Sequence, residues 1–153
     1  MELASRVGTR FGVREADRPI LLATLGVPFD PAASAFAVDA AVEAGQPLIV
    51  ANVVELPPLA MSVRMGYDQL PDDPDEAKAL RAPAALAHEL GVRVERLRVR
   101  SPRPIEALIE LTAERAPGML VFGPDRTRLK ARVYRKAAKA VRERAACLVW
   151  LAP

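Results

Sequence analysis

The chain has few of the residues that most often carry chemistry or covalent cross-links. It holds one cysteine and one histidine, Cys147 and His88, among 153 residues. A single cysteine cannot form an internal disulfide, which suits a reducing compartment, and we expect a cytoplasmic protein. The sequence has no CxxC pair, no Gly-x-Ser-x-Gly element and no cluster of metal-ligand residues. It therefore predicts neither a catalytic residue nor a metal site, and we expect no enzymatic activity.

Long apolar runs are also missing. No stretch approaches the roughly 18 to 20 apolar residues that a membrane-spanning helix needs. The first residues lack the apolar segment of a secretory signal, so residues 1–18 are interpreted as an N-terminal extension. Apolar residues make up 51% of the chain, which is enough for the core of one domain. We therefore expect a single domain over residues 19–153 and no membrane partner.

Acidic residues are almost absent from one segment, residues 126–144. This segment holds nine Arg or Lys and one acid, Glu143, so it carries +8 while the whole chain carries +3. Five of these bases form one stripe at spacings of three and four: Arg128, Arg132, Arg135, Lys139 and Arg142. The stripe lacks aromatic interleaving and no nucleic-acid motif is present, so the sequence disfavours a nucleic-acid partner. A nucleic-acid accessory role through this basic helix is kept as a second alternative.

The preceding helical segment offers an explanation for the basic stripe. Glu106, Glu110 and Glu114 recur there at spacings of four, which places them on one helix face. We expect at least one of them to lie within ion-pair distance of a base in the next helix. The bases considered are Arg132, Arg135, Lys136 and Lys139.

Short apolar runs alternate with amphipathic segments along the whole chain. The apolar or alternating runs cover residues 19–25, 47–56, 92–100, 119–123 and 147–152. Strands that alternate with helices in this way predict an α/β fold, a doubly wound five-stranded parallel sheet with helices on both faces. In such sheets the ligand crevice lies at the carboxyl ends of the strands.

Capping residues mark the ends of the predicted helices. Asp30 is an N-cap candidate before the first helix, and Gly45 is a stop signal after it. Asp73 and Gly91 take the same roles around the second helix. Pro83 lies inside that second helix and predicts a kink or a break, because proline removes one backbone hydrogen bond.

Three stretches together resemble the universal stress protein family. They are "ILLATLG", "LIVANVVELPP" and "MLVFGPDR…AVRERAACLVWLA", and the resemblance spans about residues 19–152. It implies a sheet with strand order 3-2-1-4-5, frequent dimers through the fifth strand and a role in stress physiology. The predicted function is a dimeric, non-enzymatic stress-response or regulatory module that acts with a protein partner.

The ATP-binding members of that family carry Gly-x2-Gly-x9-Gly-Ser/Thr after the fourth strand. Here Gly123 matches the first glycine, but Arg126 stands at the second. Arg135 and Lys136 stand at the Gly-Ser/Thr pair if the loop is one residue shorter. Glycines matter in such loops because the backbone must come close to the phosphates. The resemblance therefore implies that this phosphate-binding loop is lost.

The adenine contact implied by the resemblance is missing as well. Leu25 stands where ATP-binding members have an aspartate, although Gly26 after it matches. We therefore expect no cofactor and no ATP binding in the mode of the family. The alternative is a site for ATP or another phosphate-containing ligand, in which Arg and Lys replace the glycine loop. Its candidate residues are Gly26, Gly123, Arg126, Arg135 and Lys136.

The last strand predicts a homodimer. In the implied strand order it lies at an edge, where "CLVWL" would leave apolar side chains and backbone groups unpaired. A second copy could cover this edge. The predicted interface residues are Cys147, Leu148, Val149, Trp150 and Leu151.

Overall fold

The computed structural model describes residues 17–56 and 74–152. Its sheet has five parallel strands in the spatial order β3-β2-β1-β4-β5. They are β1 (Ile20–Thr24), β2 (Leu48–Glu55), β3 (Val94–Ser101), β4 (Met119–Phe122) and β5 (Leu148–Leu151). The predicted fold class and strand order are confirmed.

Four helices cover the two faces of the sheet. They are α1 (Pro31–Ala44), α2 (Pro74–Glu89), α3 (Pro104–Arg115) and α4 (Ala131–Arg144). Side chains of α1 and α2 pack into one core cluster, and side chains of α3 and α4 pack into the other. This division follows from right-handed crossovers, because the chain moves outward from β1 to β3 and then returns to the opposite side of β1.

The central strands explain the aliphatic runs of the sequence. All five residues of β1 are buried, as are the first six of β2 and the last three of β4. Strands covered on both faces need apolar residues at consecutive positions, whereas the edge strand β3 alternates in sequence. The apolar runs of β1, β2 and β4 are therefore explained by burial on both faces of the sheet.

The capping signals agree with the helix ends that the structure describes. The Asp30 carboxylate accepts a hydrogen bond of 3.0 Å from the Ala33 N–H, and Gly45 ends α1 at φ 64°. Asp73 lies outside the described residues. The break expected at Pro83 does not occur, since α2 continues through it. The Pro83 ring is buried, and this packing offsets the missing backbone hydrogen bond.

Part of the predicted N-terminal extension is in contact with the domain. The Arg18 N–H donates to Gln46 Oε1 at 2.7 Å, and Asp17 lies 3.6 Å from an Arg93 nitrogen. Residues 1–16 lie outside the described part of the chain, so their role as an extension stays a prediction. Among the described residues, no helix is long and apolar enough to cross a membrane.

Candidate functional site

A buried asparagine organises the turn that follows β1. Gly26 adopts φ 74°, and its N–H donates to Asn52 Oδ1 at 2.8 Å. The Asn52 amide in turn donates to the Glu76 carbonyl at 3.2 Å, and the Thr24 hydroxyl donates to the Val27 carbonyl at 2.9 Å. Asn52 therefore joins the β1–α1 turn to the first turn of α2, at the carboxyl edge of the sheet.

Gly123 has a packing role at the end of β4. A Cβ atom there would lie 2.5 Å from the Ala33 Cβ, closer than side-chain carbons approach one another. The Gly123 N–H donates to the Ala23 carbonyl at 3.0 Å, and its carbonyl accepts from the Asp30 N–H at 2.9 Å. Both backbone groups are thus used within the fold. The glycine lets α1 approach the sheet, and it offers no donor to a phosphate.

Side chains shape the connection between β4 and α4. Asp125 accepts two hydrogen bonds from Thr127, at 3.0 Å from the N–H and 2.7 Å from the hydroxyl, and they lower the pKa of its carboxyl. The exposed Arg126 guanidinium lies 4.0 Å from the centre of the Tyr134 ring, a cation–π contact. Tyr134 stacks on Phe122 at 5.6 Å. Arg126 is therefore held over an aromatic ring of α4.

One cleft opens on the side of α1 and α2, and we name it the α1–α2 cleft. Its volume is about 590 Å³, and it is lined by residues 26–29, Ser34, one side of α2 and Arg128. The α2 wall includes Asp75, Lys78 and two alanines, Ala79 and Ala82. Gly26 is one of the residues that line this cleft.

A larger cleft opens on the other side of the sheet, and we name it the α3–α4 cleft. It has a volume of about 800 Å³ and is bounded by Glu55 at the end of β2, residues 102–106 and α4. Residues of α4 at spacings of four line its long wall: Arg132, Lys136, Ala140 and Arg144. Spacings of four keep these side chains on one face of the helix.

The charges of the α3–α4 cleft are only partly neutralised. Arg144 makes a bidentate ion pair with Glu106, with nitrogen–oxygen distances of 2.6 and 2.9 Å. This pair lowers the pKa of Glu106 and raises the pKa of Arg144. Within the described residues, no carboxylate lies in ion-pair distance of Arg103, Arg132 or Lys136. Three cations therefore line a cleft whose other walls are apolar apart from Glu55 and the Glu106–Arg144 pair.

The structure does not bring the sequence-predicted site residues together. Lys136 lines the α3–α4 cleft, Gly26 lines the other, and Arg135 is exposed on α4 outside both sets of lining residues. Arg103 and Glu55 were missed by sequence reasoning. Each comes at or just after the end of a strand, at the edge where the crevice was predicted, and that position was the available signal.

Comparison with known proteins gives the same fold. A model described as the universal stress protein family matches residues 18–153, while no curated protein sequence matches. A universal stress protein in complex with cAMP is 21% identical, with a TM-score of 0.61, and 90% of this chain and 98% of that chain are covered. The Archaeoglobus fulgidus universal stress protein with dAMP is 18% identical, with a TM-score of 0.60, covering 87% and 95%. An Arabidopsis thaliana family protein with AMP bound is 13% identical, with a TM-score of 0.53, covering 87% and 89%.

These complexes contradict the prediction of a chain without a cofactor. Three proteins of this fold have adenine nucleotides bound, and the prediction failed because it considered only the glycine loop and the aspartate of the ATP-binding members. Cations elsewhere at the same edge of the sheet were left out. The family model covers nearly the whole chain and the strand order is the one that the family implies, so the chain belongs to the universal stress protein family.

Proposed function

We propose that this universal stress protein binds an adenine nucleotide with one phosphate group in the α3–α4 cleft. The observation that carries the proposal is a set of three cations, Arg103, Arg132 and Lys136, which have no ion-pair partner among the described residues and lie beside apolar side chains. A nucleotide needs both kinds of surface, because its phosphate is anionic while its base is flat and largely apolar. The complexes of related proteins with cAMP, dAMP and AMP support the same ligand class.

The phosphate would lie between α4 and the loop before α3. Guanidinium groups hold phosphate through paired hydrogen bonds, and an ammonium group adds a point charge, so Arg132, Arg103 and Lys136 suit this role. Without a glycine loop there is no backbone cradle for the outer phosphates of a triphosphate. This favours a nucleoside monophosphate or its cyclic form.

The base would lie against the apolar wall, where Ile105, Val133 and Ala140 line the cleft. Glu55 lines the same cleft and can accept a hydrogen bond from the exocyclic amine of adenine. Leu25 cannot accept one and is buried in the core. We therefore propose that Glu55 supplies the carboxylate that the end of β1 lacks.

Titration calorimetry with AMP and with IMP tests this assignment. IMP carries a carbonyl where AMP carries the amine, so it would set an acceptor against the Glu55 carboxylate. We expect the wild type to bind AMP about five- to tenfold more tightly than IMP, since Glu55 is exposed and one hydrogen bond contributes about 0.5–1.5 kcal/mol net. Glu55→Gln should reduce this preference to about threefold or less, because an amide can donate or accept. Equal affinities of the wild type for AMP and IMP would contradict the role of Glu55, and no saturable binding of either would contradict the site.

We further propose that the nucleotide controls an interaction and undergoes no reaction. The candidate ligands of the phosphate are permanently charged or strongly basic groups, which are poorly suited to proton transfer near neutral pH. A stress-response module that reports nucleotide binding to a protein partner in the cytoplasm accounts for a site of this kind.

We also propose that two copies pair through β5. In the described sheet β5 bonds only to β4, and Leu148 is 69% exposed. Trp150 stacks on Phe36 of the same chain with the ring centres 4.3 Å apart. Leu148 is therefore the side chain best placed to meet a partner, while Trp150 supports the strand from within.

Leu148→Glu should shift the protein from dimer to monomer, because it would bury a charge in the paired interface. Leu90→Glu is the matched control, since Leu90 is an exposed leucine at 52% and lies away from β5. Sedimentation velocity at several concentrations gives the subunit count. A Leu148→Glu protein that sediments as the same dimer as the control would place the interface elsewhere.

A further inference from the structure

The outer face of α4 carries a row of cations that does not belong to the α3–α4 cleft. We name Arg135, Lys139 and Arg142 the basic ridge. They follow one another at spacings of four and three, so they share one helix face, and all three are exposed. None of them lines the α3–α4 cleft, whose wall is formed by other residues of the helix.

The acids of α3 do not neutralise this ridge. Glu106 is paired with Arg144, and Glu114 is paired with Arg115 on its own helix. Glu110 is exposed and makes no ion pair with α4 among the described residues. The sequence therefore predicted the wrong basic partner, because the base that pairs with an acid of α3 across the two helices is Arg144. The bases named there were Arg132, Arg135, Lys136 and Lys139.

We propose that the basic ridge binds the phosphate backbone of duplex nucleic acid without sequence preference. Duplex is favoured over single strands because single-strand sites usually stack bases on exposed aromatic rings. The only aromatic side chain of α4 is Tyr134, and it is buried at 6% exposure. A membrane surface is disfavoured because the apolar face of α4 packs against the sheet and has nothing to insert into lipid.

The spacing of the ridge fits a duplex strand. Arg135 and Arg142 are seven residues apart in α4, which is about 10 Å along a helix axis. One strand of a duplex carries about three phosphates over that length. The three cations can thus contact successive phosphates of one strand. They would contact phosphate groups and no base edges, so the binding would have no sequence preference.

Fluorescence anisotropy with a short labelled DNA duplex of mixed sequence tests the proposal. Three phosphate contacts predict that the wild-type affinity falls about 40-fold between about 50 and about 200 mM salt. The triple variant Arg135→Glu, Lys139→Glu, Arg142→Glu should lose at least about 30-fold in affinity at the lower salt concentration. AMP binding by the same variant should weaken far less than the roughly 100-fold expected for Lys136→Glu, because no residue of the ridge lines the cleft.

The control variant makes the same change of charge on exposed residues elsewhere, Lys78→Glu, Arg81→Glu and Arg96→Glu. It should bind the duplex within about threefold of the wild type. Equal losses in both triple variants would show an effect of net charge alone and overturn the proposal. Tighter binding of a single strand, or equal capture by phosphatidylserine vesicles, would overturn the choice of duplex. A wild-type protein that binds the duplex as expected but does not bind AMP would count only against the proposed nucleotide site.

Discussion

Replacing Gly123 with alanine is expected to lower the free energy of unfolding by about 2–3 kcal/mol. The new Cβ would lie 2.5 Å from the Ala33 Cβ, and Ala33 is fully buried in α1 against the sheet. Neither atom is the end of a flexible side chain, so α1 or β4 must move. For a chain of this length, a loss of this size lowers the melting temperature by about 4–12 °C. Urea denaturation and thermal melting followed by circular dichroism would measure both quantities.

Two further variants separate packing from backbone conformation. Gly26→Ala places a side chain at φ 74° with no atom within 4 Å, so only the left-handed backbone is penalised, by about 1–2 kcal/mol. Ala33→Gly in the Gly123→Ala background removes the colliding carbon and should recover part of the lost stability. A double variant whose losses simply add, with no recovery, would show that the Ala33 contact is not the cause.

Lys136→Glu is expected to weaken AMP binding by about 100-fold or more. The change removes a charged partner of the phosphate, worth about 1.5–3 kcal/mol, and sets a carboxylate against the phosphate in its place. Lys139→Glu is the matched control, because it makes the same change three residues later on α4, on the basic ridge outside the cleft. We expect the control to weaken AMP binding by less than about tenfold, because Lys139 does not line the cleft and its charge acts only through the partly screened field of α4.

Titration calorimetry with AMP on both lysine variants tests whether the phosphate binds at Lys136. Losses of equal size at Lys136 and Lys139 would mean that the phosphate responds to the general field of α4. In that case the α3–α4 cleft would not be the nucleotide site. Circular dichroism of each variant would establish that the fold is kept.

The fold could be predicted because a strand buried on both faces of the sheet has a continuous run of apolar residues. The run at residues 19–25 contains β1 (Ile20–Thr24), and a central parallel strand has no face on which a polar residue can be solvated. The ends of α1 were predicted because each has a residue with a specific role. Asp30 accepts a hydrogen bond from a free backbone N–H at the start of the helix, and Gly45 adopts the left-handed conformation that ends it.

The candidate site could be predicted only in part because it depends on which way neighbouring side chains point. Arg135 and Lys136 are adjacent in sequence and were assigned to one site. They lie in α4, which begins at Ala131, and adjacent helical residues point about 100° apart. One therefore faces the cleft and the other faces solvent. The packing role of Gly123 could not be predicted, because a glycine required by a neighbouring helix looks the same in sequence as one required by a phosphate.

The interface residues show the same limit. Both faces of β5 are apolar in sequence, "LVWL", so the pattern did not reveal which side chains the chain uses for itself. The stacking of Trp150 on Phe36 is a contact between residues far apart in sequence, and no local sequence pattern predicts it.

A crystal structure of the chain grown with AMP tests the central claim most directly. The account predicts density for the nucleotide in the α3–α4 cleft, with the phosphate at Arg103, Arg132 and Lys136 and the adenine amine at Glu55. Nucleotide density in the α1–α2 cleft beside Gly26 and Arg128, or a phosphate placed away from Lys136, would contradict it.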